Sequence, residues 1–165
     1  MHPTVEDFLA ARGAALLRFA VMLTGHRPAA EDLLQSTLGR AYPRWSRIAA
    51  MEQPEAYLKK MLTNEHLRWR ARRSSAELPI AEPPDGGVVA SPADHHASRD
   101  AAWALLGRLP RRQRAVLVLR YYEDLTDAEI ASVLGCREST VRSQAARGIA
   151  ALRLAVPELN RELLP

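Results

Sequence analysis

Residues 125–153, LTDAEIASVLGCRESTVRSQAARGIAALR, predict two helices joined by a turn, the second with chemically opposite faces. At about 100° per residue, Val141, Ala145, Gly148, Ile149 and Leu152 share one side, all apolar or small. Ser139, Arg142, Ser143, Ala146 and Arg147 share the other, which offers hydroxyls, two guanidiniums and one small gap. Leu125, Ile130, Ala131, Leu134, Val141, Ile149 and Leu152 are the set that packs the two helices together. Thr126 with Glu129 makes a capping box for the first helix, and Gly135-Cys136 supplies the turn, glycine being suited to a left-handed backbone. A helix that packs on one side and presents arginines on the other fits the major groove of DNA. There an arginine paired to guanine by two hydrogen bonds discriminates by about 1–3 kcal/mol. Arg137 and Ser139, at the helix start, would lie near backbone phosphates, where the helix dipole favours anions. Small trihelical domains use the same packing for protein contacts, and the outward row of arginines is what favours DNA.

Charge is unevenly spread along the rest of the chain. Residues 1–73 carry twelve Lys/Arg against seven Asp/Glu, residues 74–100 one against five, and residues 101–156 nine against five. Two basic blocks therefore flank an acidic connector, as a polyanionic partner held by both blocks would require. On charge alone a solvated basic face is the plainer reading. Cys136 is the only cysteine, which excludes an internal disulfide and a cysteine-rich zinc site. No apolar run approaches the roughly 18–20 residues that cross a bilayer, and the first residues lack the apolar core of a signal peptide. The expectation is a soluble cytoplasmic protein with no membrane partner.

The connector, residues 74–98, has four prolines, a Gly-Gly pair and little hydrophobic periodicity. Such a segment buries too little apolar area to offset its ordering entropy, so a flexible linker is expected. Three helices precede it. Thr4 with Asp7 starts the first, Leu9, Leu16, Leu17, Ala20 and Leu23 form its stripe, and Gly25 ends it. Pro28 fits the first turn of the second, which carries Leu33, Leu34, Leu38, Ala41 and Tyr42 before Pro43 bends or ends it. Pro54 opens the third, with Tyr57, Leu58, Met61, Leu62 and Leu67 inward. Beyond the linker, helices are expected around residues 101–106 and from Pro110 through Tyr122. No strand signal competes, so the fold class is all-α: a three-helix bundle and a helix-turn-helix domain.

Two more constellations stand out. In YLKKMLTNEHLRWRARR, residues 57–73, Lys60, Asn64 and Arg68 follow one another at four-residue spacing, and Trp69 interrupts a run of arginines. Basic groups interleaved with an aromatic and an amide fit unpaired nucleic acid, whose bases stack and expose their edges. Core packing for Trp69 and a solvated helix end for the arginines are the plain alternative. In AEDLLQSTLGRAYPRW, Asp32 and Gln35 lie three apart beside Glu31. Acids on a basic domain repel DNA, which favours a protein partner over a solvated patch.

The order AEDLLQ…RAYPRW, PEAYLKKMLTN…WRARR, a linker, and LPRRQRAVLVLRYYEDLTDAEIASVLGCRESTVRSQAARGIAALR resembles the extracytoplasmic-function RNA polymerase sigma factors, in particular the group found in actinobacteria. The likeness covers roughly residues 5–72 and 99–154. It implies that Asp32 and Gln35, with Arg40 nearby, dock on the clamp helices of the polymerase β′ subunit. It implies that Asn64 helps hold a base flipped out of the promoter minus-ten element. Lys60, Arg68 and Trp69 would then lie along that strand, and the loop 47–53 would form part of the base pocket. Arg142, Ser143, Ala146 and Arg147 match the family's reading positions for the minus-thirty-five element, with Arg137 and Ser139 beside them. Some relatives carry a large side chain where this chain has Ala146. Core polymerase through its β′ clamp helices and β flap, promoter DNA, and an anti-sigma protein are the implied partners.

The implied organisation is residues 1–73 for docking and minus-ten recognition, 74–98 as acidic linker, 99–156 for the upstream element and 157–165 as a short tail. No cofactor, metal or catalysis is expected. His95 and His96 are adjacent without a further ligand nearby, Glu65-His66 lacks a second histidine at ligand spacing, and no phosphate-binding glycine loop occurs. A stand-alone helix-turn-helix regulator binding duplex DNA as a dimer is the alternative. It would leave the AEDLLQ and arginine/tryptophan segments without a role.

Overall fold

A computed structural model describes residues 1–76 and 104–163, with side chains for 1–68 and 104–156. Every regular element among the described residues is helical. The chain forms two compact units, Met1–Leu78 and Pro79–Pro165, each considered by itself.

In the first unit, helix α1 spans Val5–Thr24 and α2 spans Arg27–Ala41. The box at Thr4 closes fully: the Asp7 amide donates to Thr4 Oγ1 at 3.1 Å, and the Thr4 amide donates to Asp7 Oδ2 at 3.3 Å. Gly25 ends α1 in the left-handed region at φ 74°, its amide bonded to Val21 O. The chain then reverses, and His26 Nδ1 caps α2 by accepting from the Ala29 amide at 3.1 Å. Pro43, which cannot continue the α2 ladder, sits in a 3₁₀ turn, Tyr42–Arg44. A short helix α3, Trp45–Ala49, precedes α4, Pro54–Ala76.

α1 packs on α2 and α4, and α2 packs on α4. Leu16, Phe19, Ala20, Leu23, Ala30, Ile48, Leu58 and Leu62 are buried between them. The Trp45 indole stacks edge-on against Phe8 at 5.1 Å and donates to Pro3 O at 2.9 Å, fastening α3 to the start of α1.

Three expectations need correction here. Residues 47–49 are helical rather than loop, because the indole anchor lets IleAla follow Trp45 in one turn and bury Ile48 and Ala49. Tyr42 is 66% exposed rather than inward, since the 3₁₀ turn rotates it off the α2 stripe. Helix α4 runs three residues past Arg73, because no proline follows until Pro79 and Ser-Ser-Ala can remain helical. The remainder of the connector, with His95 and His96, and residues 101–103 lie outside the described residues, as does the Trp69 side chain.

The second unit begins with a helical turn at 104–107, then α5, Arg111–Leu117, whose path continues as a π turn, Val118–Tyr122. The fully buried Arg114 holds this start together. Its Nε donates to Leu106 O at 2.8 Å, and its Nη2 donates to Gly107 O at 2.8 Å and Leu109 O at 3.3 Å. A guanidinium is thereby spent on the carbonyls that a helix end leaves without amide donors.

Asp124 takes the left-handed conformation, φ 53°, between the π turn and α6, Asp127–Leu134. The Arg120–Asp127 ion pair ties that turn to the first turn of α6, and its hydrogen bond pushes the Arg120 pKa up. The Thr126–Glu129 capping box is present in both directions, and the Thr126 amide and hydroxyl hold the Glu129 carboxyl below its ordinary value. Gly135, φ 63°, ends α6, and the Cys136 amide bonds back to Ala131 O at 3.1 Å. Helix α7, Glu138–Leu163, then runs through Pro157. Proline there removes one amide donor, but the good helix formers on both sides carry the helix on.

α7 packs on both α5 and α6. Val141, Ala145 and Gly148 are buried, and Ile149 and Leu152 are half-buried, as the periodicity requires. The approach is closest at Gly148, where an added Cβ would lie 3.0 Å from Leu117 Cδ1 and 3.5 Å from Gln113 Cβ. Leu117 is itself buried and has little room to retreat. Replacing Gly148 by leucine should therefore lower stability by about 1–3 kcal/mol through overpacking, read as a reduced midpoint in chemical denaturation.

Candidate nucleic-acid interface

The seam that buries one side of α7 turns the other outward. Arg137, Ser139, Arg142, Ser143, Ala146 and Arg147 are all exposed. The Arg137 carbonyl accepts from the Thr140 and Val141 amides at 3.0 and 3.2 Å, so its side chain marks the start of α7. One turn further, the Arg142 guanidinium stands 3.6 Å from Glu138 Oε2, both ends largely in solvent. Ser143 Oγ donates to Thr140 O at 3.0 Å, which leaves the hydroxyl lone pairs as acceptors. Ala146 lies between Arg142 and Arg147 and leaves a shallow gap.

This arrangement can do two things chemically. Arginines on adjacent turns can reach base edges, while Arg137, at the positive end of the helix dipole, suits a phosphate. Glu138 was not singled out by sequence reasoning, although its four-residue spacing from Arg142 was a signal for the pairing. Cys136, beside the turn, is half-buried rather than enclosed.

In the first unit, Lys60, Asn64 and Arg68 line one side of α4, Lys60 and Asn64 half-buried and Arg68 exposed. Asp32 and Gln35 are exposed on α2, together with Glu31, Ser36 and Gly39. Glu31 is engaged by Arg27 at 3.0 Å, whereas Asp32 projects from the neighbouring position. Arg40 is different. Its Nη1 lies 2.9 Å from Oε2 of the buried Glu65, so it joins α2 to α4 as well as facing solvent. The signal in the sequence was the only acid between Glu55 and Arg73, in a segment otherwise basic. Among the described residues no three His, Cys, Asp or Glu side chains cluster as a metal site, and no single helix is long and apolar enough to cross a membrane.

Comparison with known proteins identifies the family. Residues 99–152 match the family described as sigma-70, region 4. The RNA polymerase sigma-E factor of Streptomyces avermitilis is 37% identical over 148 residues, covering 90% of this chain and 82% of that protein. The ECF RNA polymerase sigma factor SigL of Mycobacterium tuberculosis is 32% identical over 154 residues, covering 89% and 85%. A similar fold occurs in the sigma factor RpoE of Bartonella quintana, solved in complex with the anti-sigma factor NepR. There the TM-score is 0.66 at 24% identity, over 92% of this chain and 96% of that one. The likeness to the two named relatives spans both units, which a lone helix-turn-helix regulator does not explain. The chain belongs to the extracytoplasmic-function RNA polymerase sigma factors.

Proposed function

We propose that this protein acts in the cytoplasm as a promoter-specificity subunit, without covalent chemistry of its own. Residues 1–73 seat on core polymerase through Asp32 and Gln35 and take up an unpaired minus-ten base beside Asn64. Lys60, Arg68 and Trp69 follow the strand. Residues 99–156 read the upstream duplex element through Arg142, Ser143, Ala146 and Arg147, with Arg137 and Ser139 at the flanking phosphates. The acidic segment between them follows the polymerase path that nucleic acid otherwise fills. The β′ clamp helices receive α2, and the β flap receives the second unit. An anti-sigma protein is a further partner, by analogy with the Bartonella complex.

The observation that carries this reading is the division of α7 in a chain of this family: small and buried on one side, arginine-bearing and exposed on the other. Unpairing and flipping a base costs a few kcal/mol. Capture at one element therefore gains from a second hold on the same promoter, while phosphate contacts supply salt-dependent affinity.

Three outcomes test it. Arg147→Ala should weaken upstream-element recognition about tenfold and relax its sequence preference, with core polymerase binding intact. Unchanged promoter selectivity in reconstituted transcription would contradict the assigned face. Replacing Asp32 and Gln35 together by alanine should weaken binding to core polymerase in a pull-down, and an unaltered pull-down would contradict the docking assignment. Glu138→Gln removes an acid facing phosphates and releases Arg142. Exposed pairs of this spacing contribute about 0.3–0.5 kcal/mol, so holoenzyme affinity for upstream duplex should rise about twofold at low salt in fluorescence anisotropy, and less at high salt.

A further inference from the structure

Glu65 sits directly after Asn64 on α4, yet its side chain turns back into the seam with α2. Its side chain is 9% exposed, and that of Arg40, whose Nη1 lies 2.9 Å from Glu65 Oε2, is 46% exposed. One end of this pair is thus enclosed between helices. The other emerges on α2, five residues beyond Gln35 and eight beyond Asp32. A pair in a partly desolvated seam is screened less than a surface pair, and removing one member of it is unfavourable for the other. The pair consequently ties α4 to α2 at this level.

We propose that Arg40 and Glu65 are positioning residues, holding the strand-capturing row Lys60–Asn64–Arg68 in register with the face of α2 that carries Asp32 and Gln35. Glu65 does not touch nucleic acid in this account; it acts through the placement of Asn64. Arg40, grouped by resemblance with the docking residues, has its main task in the same link. The pair makes seating on a protein partner and capture of an unpaired base into coupled events. This rests on the proposed roles of α2 and α4, and the test is arranged to separate the two.

The experiment uses full-length chain and bacterial core polymerase. One arm measures affinity for core by anisotropy of labelled chain. The other measures capture, at saturating core, of a labelled single-stranded oligonucleotide carrying the minus-ten element of a promoter that the wild-type holoenzyme transcribes. Glu65→Gln keeps side-chain size and hydrogen bonding but removes the charge. It should leave core affinity within twofold of wild type, which also reports a folded unit, and weaken strand capture at least fivefold. In an Arg40→Gln background the same change should alter capture by less than twofold, because partners in one pair are not additive. An equal fall in both arms, no fall in capture, or a fivefold loss that persists in the Arg40→Gln background would overturn the coupling. If wild-type holoenzyme itself captured no such strand, the reading of α4 would fall, and the coupling with it.

Discussion

Helix α7 comes so near α5 that a methyl group on residue 148 would stand 3.0 Å from Leu117 Cδ1. Only a small surface permits that approach, and Val141, Ala145 and Gly148 supply it. The consequence is rotational. Once these residues face α5 and α6, the positions of Arg142, Ser143, Ala146 and Arg147 on the opposite arc are determined by the pitch of the helix. The proposed recognition face therefore depends on packing: the same arginines on a helix turned by a third of a revolution would lie in the core. Gly135 and the two-way Thr126–Glu129 box fix the turn and the start of the supporting helix, so the outward face is held by elements on both of its sides.

Buried charge performs a comparable task in each unit. Arg114 binds three backbone carbonyls that close the entry to α5, and Arg40 reaches Glu65 across the α2–α4 seam. In both cases a long, pre-shaped guanidinium joins segments that a hydrophobic contact alone could slide past one another. Desolvation offsets much of the attraction in such contacts, and register rather than gross stability is the role proposed for the Arg40–Glu65 pair. Register is what the proposed docking and reading surfaces would require.

Much of this was legible in the chain. The caps at Thr4, Gly25, Thr126 and Gly135 act over three or four residues, and local chemistry decides them. The faces of α7 follow from one period, and every residue assigned to its outward arc is exposed. What was not legible depended on distant partners. The Trp45 indole finds Pro3 across 42 residues and turns an expected loop into α3. The burial of Arg114 and the reach of Arg40 to Glu65 depend on how helices cross, which periodicity does not encode. Tyr42 was misplaced because one 3₁₀ turn breaks the period on which its assignment rested.

The most direct measurement is site-specific photocrosslinking from position 146, the small gap between the two arginines, in holoenzyme assembled on a promoter. With benzoylphenylalanine there, the account predicts a crosslink to duplex DNA at the upstream element and none to the chain's own α5. A crosslink to α5, or to no DNA at any promoter, would contradict the outward face on which the whole reading stands.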